Sequence, residues 1–378
     1  MLAIIQAAIH DLPRIRSDQK EWHRFQYRES KTEAGEFCDA NDSARYLILT
    51  ALQFAATDED ESLVRYLLQQ EIQLLENDPY QGYGDKVRLA SYLLMRWHRL
   101  DDFWLYADAK SANFDTACGY DSQFLAIHGP EAATARLASR EHHAGQWLKE
   151  VLFDEEGTFR WNASEMEAWQ AALADYFPRD PEAVSIRGWI ELAIDLQQLA
   201  EAKVLLERYR LETEEIDFYW LVFTQKQLGD LPGALSTYRQ MLAAADTNWD
   251  RVSESHSIAD VLFQLGDVQE AWGTITSCDA MLDQIEGWHE VGLGRSLVET
   301  AFKIAAVAPD PTAMEAFRWA CYRQSQLETN SQVIFEAAVS AAKKLNQPEQ
   351  LVFYEAELAQ EIASVHSPLE GLEDSAEE

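Results

Sequence analysis

Glycine and proline, the residues that most often end or redirect a helix or strand, are scarce in this sequence. Its 378 residues contain 16 glycines and 10 prolines, too few for a β-protein with many turns. Long stretches rich in alanine, leucine, glutamate and glutamine favour helices instead. The 12 tryptophans and 16 phenylalanines exclude a disordered chain, because disordered chains lack large apolar side chains. We therefore expect an all-α fold.

Cysteine is also scarce, and the patterns that mark common active sites are missing. The four cysteines form neither a CxxC nor a CxxxH grouping, so we expect reduced thiols and neither a disulfide framework nor a zinc knuckle. The sequence contains no GxxxxGK[ST], HExxH or GxSxG motif. We predict that the chain is not an enzyme, with no catalytic residue, no cofactor and no metal ion.

Basic residues are few relative to acidic ones. The 31 lysines and arginines stand against 65 aspartates and glutamates, which gives a net charge of −34. This charge disfavours nucleic-acid binding, which needs basic groups to neutralise phosphates, and suits a basic protein partner. No apolar run approaches the length of a membrane-spanning helix, and residues 1–16 have the pattern of an amphipathic helix without a signal-peptide cleavage site. We expect a cytoplasmic protein that binds neither nucleic acid nor membrane.

The C-terminal half is repetitive. Five segments share a short polar turn followed by a small or apolar residue that opens a second helix: 196–209, 228–241, 265–278, 308–321 and 345–358. Aligned on this residue, they give Ala202, Ala234, Ala271, Ala316 and Leu351, at steps of 32, 37, 45 and 35 residues. Steps near 34 residues indicate stacked helical hairpins. The 45-residue step indicates an insertion around Cys278–Gly294.

The residues of the best repeats have clear structural roles. Gly229 and Gly266 are predicted to turn the chain tightly after a first helix, because glycine tolerates a left-handed backbone. Asp230 and Asp267 follow them, where they can cap the second helix. The small residues that come next let the two helices approach closely, and neighbouring hairpins must stack to bury their apolar faces.

On these residues, the region 183–360 resembles the tetratricopeptide repeats. Family-like positions are occupied in one unit by Leu221, Gly229, Ala234 and Tyr238, with Phe218 where the family has tryptophan, and in the next by Ile258, Ala259, Gly266 and Ala271. The usual proline after the second helix is absent, and Val222 replaces a small residue. The resemblance implies an α-solenoid of stacked antiparallel helix pairs. A looser helical solenoid is the alternative.

We predict four regions along the chain. They are an N-terminal helical domain (1–150), a connecting segment (151–182), the tetratricopeptide-like repeats (183–362) and an acidic disordered tail (363–378). One continuous superhelix is the alternative to this division. Within the connecting segment, 152–161 is predicted to form a short β-hairpin with Gly157 in its turn. Ser164, with Glu167 three residues later, is predicted to cap the following helix.

The resemblance also implies a binding surface on the first helix of each pair. In the two best units this inner face carries Tyr219, Phe223, Lys226, His256, Asp260 and Phe263. Steps of three or four residues place each set on one helical stripe. Aromatic and charged side chains together suit a partner helix or an extended peptide, although the aromatics could instead be partly buried between units. The basic and asparagine pattern of chaperone-tail-binding members is missing, so an acidic chaperone terminus is not the expected partner.

We expect the function of a protein–protein interaction module with a basic protein or peptide partner. A specific form is a bacterial immunity or antitoxin-type inhibitor of a basic toxin. The alternatives are a regulatory solenoid that senses a small peptide or metabolite, and an enzyme that uses Asp115, Cys118 and His128. The basic, aromatic segment 13–31 is expected to dock on the chain's own acidic surface, with binding of an acidic ligand as the alternative.

Overall fold

Helices form most of the regular structure, which confirms the all-α prediction. The computed structural model describes residues 1–32, 35–80 and 82–373, with side chains described up to residue 363. The α-helices are α1 (Ala3–Ser17), α2 (Asp42–Ala55), α3 (Glu61–Asn77), α4 (Asp85–Met95), α5 (Phe103–Lys110), α6 (Phe114–Gly119), α7 (Gln123–Ala126), α8 (Gly129–Ser139), α9 (Gly145–Leu152), α10 (Ala163–Tyr176), α11 (Ile186–Asp195), α12 (Leu199–Glu212), α13 (Phe218–Gln227), α14 (Leu231–Ala244), α15 (Asn248–Gln264), α16 (Val268–Leu282), α17 (Gly292–Val307), α18 (Thr312–Gln324), α19 (Gln332–Lys344) and α20 (Pro348–Glu373). Short 3-10 helices cover Gln19–Phe25, Asp58–Asp60, Leu100–Asp102 and Pro181–Ala183. None of the described helices combines the length and apolar character needed to span a membrane.

The chain divides into two compact units, Met1–Thr213 and Glu214–Glu378. The limits predicted at 150 and 182 do not coincide with this division. The segment that follows residue 150 packs on the N-terminal helices: Trp189 of α11 contacts Phe54 of α2 at a ring separation of 5.7 Å, and Gln53 donates a hydrogen bond to the carbonyl of Pro178. These contacts place α10, α11 and α12 with the N-terminal unit.

The C-terminal unit is a succession of antiparallel helix pairs. Within each pair, α13 packs on α14, α15 on α16, α17 on α18 and α19 on α20. Successive pairs are joined by contacts of α14 with α15, α16 with α17 and α17 with α19. One hydrophobic core runs from Leu235 on α14 through the later pairs to Tyr354 on α20. Because no pair could bury its apolar face alone, this stacking supplies the core of the unit.

One turn geometry recurs at four of the five aligned segments. In each, the residue after the helix has a positive φ, namely Gln197 (59°), Gly229 (70°), Gly266 (84°) and Asn346 (51°). The amide of the next residue donates to the carbonyl five positions back, as in Asp230 to Gln225 (2.8 Å) and Asp267 to Leu262 (2.9 Å). This is the Schellman arrangement of a helix C-terminus. Four of the aligned segments therefore share a local backbone geometry as well as a sequence pattern.

The predicted caps and small residues of the repeats are confirmed. The Asp230 carboxylate accepts from the Gly233 amide (3.0 Å), and the Asp267 carboxylate accepts from the Glu270 amide (3.1 Å). The side chains at the aligned position are fully buried at Ala202, Ala234, Ala271 and Ala316 and half-buried at Leu351. A larger side chain at the alanine positions would separate the paired helices.

The N-terminal unit contains the β-structure. Strands β1 (Glu29–Lys31) and β2 (Phe37–Asp39) form an antiparallel pair that the sequence pattern did not indicate. The hairpin predicted at 152–161 is present as one antiparallel bridge between Phe153 and Phe159, with Gly157 in the turn at φ 79°. Hydrogen bonds within the turn hold it in place: the Asp154 carboxylate accepts from the Thr158 amide at 2.7 Å, and the Asp154 amide donates to the Thr158 carbonyl at 2.9 Å.

One predicted helix cap differs from the structure. The cap of α10 is Asn162 with Glu165, and not Ser164 with Glu167; Asn162 accepts from the Glu165 amide at 3.0 Å, and Glu165 accepts from the Asn162 amide at 2.8 Å. Both pairs fit the capping-box pattern, and asparagine is at least as good a cap as serine.

At the other end of the chain, α20 continues to Glu373, into the segment predicted as an acidic disordered tail. The rest of that segment, 374–378, lies outside the described residues.

Candidate functional site

Helices α13 and α15 carry all six residues predicted to bind a partner. The Asp217 side chain caps α13 by accepting from the Trp220 amide at 3.0 Å. The Thr247 hydroxyl caps α15 by accepting from the Asp250 amide at 3.0 Å. These caps fix where each helix begins, and therefore which side chains share a face.

The aromatic residues of α13 are the most exposed members of the predicted set. Tyr219 has 69% and Phe223 has 61% of its surface accessible. They are one helical turn apart and lie on the same face of α13. Lys226, another turn along, is also exposed, and its ammonium group lies 3.5 Å from the Asp260 carboxylate of α15. This ion pair brings the α13 and α15 sets together.

His256 and Phe263 of α15 have structural contacts. His256 is half-buried, and its Nε2 lies 3.2 Å from the Thr300 hydroxyl of α17. Burial lowers the pKa of the His256 imidazole, although the charge of Asp260 opposes this shift. Phe263 is half-buried and packs against the hydrophobic core. His256 therefore belongs to a contact between helix pairs and Phe263 to the edge of the core. The accessible part of the stripe consists of Tyr219, Phe223 and the Lys226–Asp260 pair.

Glu254 is a residue of this surface that the sequence did not indicate. It lies on α15 with 5% of its surface accessible, and the Tyr219 hydroxyl donates a hydrogen bond to its carboxylate. Its Oε2 atom is buried and has no hydrogen-bond partner among the described residues. Burial raises the pKa of the Glu254 carboxyl, and the negative charge of Asp250 adds to this, while the Tyr219 hydrogen bond opposes it. The Glu254 carboxylate therefore lies against an exposed tyrosine, and its burial without a full set of hydrogen bonds costs folding free energy.

The segment 13–31 makes ionic contacts within the N-terminal unit, as expected. Arg16 binds both oxygens of the buried Asp60 carboxylate, at 2.7 and 2.8 Å. The Trp22 indole donates to the Ile15 carbonyl at 3.0 Å, and its ring packs 5.3 Å from that of Tyr66. These contacts favour intramolecular docking over the alternative of a ligand site.

The residues of the enzyme alternative do not form an arrangement with an evident chemical role. Cys118 is exposed on α6, with Asp115 in the first turn of the same helix. His128 precedes α8, and burial lowers the pKa of its imidazole. Within the described residues, the His128 Nε2 atom is buried and has no hydrogen-bond partner, so it makes no hydrogen bond to Cys118.

A separate groove lies in the N-terminal unit. It has a volume of about 1430 Å³ and is bordered by α8, α9 and the turn that contains Gly157. Its lining includes three basic residues and four acidic ones, namely Arg140, Lys149 and Arg160, and Glu141, Glu150, Asp154 and Glu155. The groove is thus distinct from the stripe on α13 and α15. Among the described residues, the one grouping of metal-ligand side chains is His289, Glu290 and Glu328, outside both surfaces.

Comparison of the chain with known protein families, with curated proteins and with solved structures gives no match.

Proposed function

We propose that this chain is a tetratricopeptide-like interaction protein that binds a basic segment of a protein partner on the α13–α15 surface. The observation that carries the proposal is that the exposed Tyr219, which shares a helix face with the exposed Phe223, lies against the buried, incompletely paired Glu254. A partner arginine or lysine can lay its aliphatic stem on the aromatic rings. Its charged end can then approach the Glu254 carboxylate, displacing the Tyr219 hydroxyl. The net charge of −34 adds long-range attraction for a basic partner.

The first prediction concerns the aromatic residues. Co-purification from the native host is expected to recover a stoichiometric basic protein whose binding weakens with salt. Tyr219→Ala or Phe223→Ala is then expected to weaken binding of that protein by about 1–3 kcal/mol without unfolding the chain, as for a typical exposed anchor. Calorimetry with the recovered partner measures the loss.

The matched control is Tyr80→Ala, which removes a tyrosine of equal exposure (70%) from the N-terminal unit. It is expected to leave affinity unchanged. Equal affinities for the Tyr219, Phe223 and Tyr80 variants would argue against the α13–α15 surface. Failure to recover any salt-sensitive basic partner would argue against the function itself.

The second prediction separates stability from binding at Glu254. The raised pKa of this carboxyl means that the folded chain holds a proton more tightly than the unfolded chain, so the ionised side chain costs folding stability at neutral pH. Glu254→Gln is expected to raise the melting temperature at pH 7, by an amount that shrinks as the pH falls through the raised pKa of Glu254 towards 4.5, the ordinary pKa of a glutamate carboxyl. The same variant is expected to weaken binding of the basic partner.

Glu336→Gln is the control for this pair of effects, because Glu336 is an exposed glutamate on α19. It is expected to change neither melting temperature nor affinity. If Glu254→Gln lowers both the melting temperature and the affinity, then Glu254 has a structural role and does not anchor the partner.

In its specific form, the proposed function is that of a bacterial immunity or antitoxin-type protein that covers a basic toxin. Its support is the large negative charge on a helical-repeat fold, since charge complementarity speeds such association. The test is whether a basic protein encoded next to this chain forms the stoichiometric complex. A partner encoded elsewhere in the genome would still support the interaction function, but it would exclude the immunity or antitoxin form.

A second candidate function is the binding of a small peptide or metabolite in the groove of the N-terminal unit. Its size, about 1430 Å³, and its lining of both basic and acidic side chains suit a small ligand that carries charges of both signs, such as a peptide. Native mass spectrometry of the purified chain tests this candidate, because a ligand retained in the groove adds a discrete low mass. Recovery of unliganded chain together with a protein partner favours the first function.

A further inference from the structure

The insertion between two repeats builds a loop with metal-ligand chemistry. The 45-residue step places extra chain between α16, which ends at Leu282, and α17, which begins at Gly292. His289 and Glu290 lie in this loop. The loop between α18 and α19 lies beside it and contributes Glu328. None of these residues belongs to the α13–α15 surface or to the groove.

The three side chains can reach one ion. Each offers one ligand atom, and these atoms lie within 4.8 Å of one another. His289 Nδ1 is 3.9 Å from a carboxylate oxygen of Glu290. Ligand bonds of about 2.0–2.2 Å to a tetrahedral ion would hold such atoms roughly 3.4 Å apart. To bind one ion, the ligand atoms must therefore move closer together by about an ångström. Two flexible glutamate side chains can make this movement.

The histidine is the group that distinguishes this cluster from an ordinary acidic surface. Its Nδ1 atom is buried and makes no hydrogen bond with any described residue. A ring nitrogen in that state normally has a partner, because an unsatisfied buried polar atom is costly. One imidazole nitrogen with two carboxylates is a ligand set that suits a divalent transition metal, and zinc in particular.

The two loops are held together by groups other than the ligands. The Glu328 amide donates to the His289 carbonyl at 3.2 Å, and Arg295 donates to the Thr329 hydroxyl at 2.7 Å. Trp288, next to His289, is buried under the Arg323 guanidinium at 5.2 Å. Such contacts position the ligands in advance, as supporting groups do in metal sites.

We propose that His289, Glu290 and Glu328 bind a divalent transition-metal ion, with Zn²⁺ as the best match, and that the ion joins the α16–α17 loop to the α18–α19 loop. Three protein ligands leave a further position for water or for a side chain of a bound molecule. Because the ligands come from the two loops that flank the α17–α18 pair, the ion stabilises the stacking of this pair with its neighbours. This proposal is independent of the partner-binding function.

The test uses the full-length, untagged chain after treatment with a chelator. Isothermal titration with Zn²⁺ is expected to show one ion per chain and a rise in melting temperature, and Co²⁺ is expected to give a visible absorption spectrum. His289→Ala and Glu328→Gln are each expected to weaken Zn²⁺ binding by at least roughly tenfold, the loss that even outer-shell partners cause. Mg²⁺, which prefers all-oxygen octahedral sites, is expected to bind far more weakly.

The control is His10→Ala, which removes an exposed histidine from the N-terminal unit and should leave Zn²⁺ affinity unchanged. Glu328→Gln keeps the size of the side chain, so a loss of affinity in this variant without a loss of melting temperature in the metal-free chain reports ligation and not misfolding. The proposal is overturned if Zn²⁺ does not bind, or if it binds equally well to the wild type, His289→Ala and Glu328→Gln.

Discussion

Arg45→Met is expected to destabilise the N-terminal unit by about 3–5 kcal/mol, the cost of removing one partner from a buried ion pair. Arg45 is fully buried on α2, and its guanidinium binds two carboxylates that have almost no accessible surface, Asp39 of β2 (2.8 Å) and Glu71 of α3. It also donates to the Phe25 carbonyl at 3.2 Å. Methionine fills much of the same volume but leaves both carboxylates buried without a cation. Urea unfolding measures the loss.

The pH dependence of this loss has a definite sign. Burial raises the pKa of the Glu71 carboxyl even though Arg45 opposes the shift, so without Arg45 that pKa rises further. The folded variant then binds a proton more tightly than the unfolded chain does, and it gains stability as the pH falls. We therefore expect the deficit of Arg45→Met to be full at neutral pH and to shrink as the pH falls towards 4.5, the ordinary pKa of a glutamate carboxyl.

Arg24→Met is the control, because Arg24 pairs with Glu21 and Asp11 at the surface. Exposed ion pairs contribute about 0–1 kcal/mol, so this variant is expected to be almost neutral. A double variant, Arg45→Met with Glu71→Gln, should recover part of the loss because it removes one buried charge. If Arg45→Met is no more damaging than Arg24→Met, the buried cluster does not hold this unit together.

Ala271→Leu is the second large effect expected, with a destabilisation of roughly 1–3 kcal/mol. Ala271 is fully buried at the start of α16, within the hydrophobic core that includes Ile258 and Ala259 of α15. Three added carbon atoms at this point have no space unless α15 and α16 move apart. Ala234→Leu is expected to do the same between α13 and α14, since Ala234 is also fully buried. Thermal unfolding of each variant measures the effect.

Ala280→Leu and Ala243→Leu are the matched controls, because they make the same change at exposed positions of α16 and α14. Surface changes of this kind are expected to stay within about 0.5 kcal/mol. If the buried and exposed variants melt at the same temperature, the small residues do not mark the closest approach of the paired helices.

The sequence was most informative where structure depends on neighbours in the chain. The turns at Gly229 and Gly266 and the caps at Asp230 and Asp267 could be predicted because glycine and aspartate act locally. The β1–β2 pair could not, because strands of three residues carry no alternation pattern. The tertiary contact between Arg45 and Asp39 helps to position β2, and the sequence pattern did not indicate this contact.

The candidate site shows the same limit. Helical spacing predicted that Tyr219 and Phe223 share one face, and both are exposed. The burial of Glu254 and the contact of His256 with Thr300 depend on how successive helix pairs stack, which spacing within one helix does not determine. Likewise, the 45-residue step indicated an insertion, but only the fold shows that it lies beside Glu328.

The shared turn geometry also determines how such a chain can change length. Leu228 and Leu265 both end their helices with the same hydrogen bond to the carbonyl four residues back, and a residue with positive φ follows each of them. A deletion or duplication of residues 229–265 would therefore join one of these leucines to a glycine and aspartate that already fit it. Gain or loss of a whole repeat at this point needs no new turn, so a gene can change the number of helix pairs by unequal recombination without first evolving a new junction.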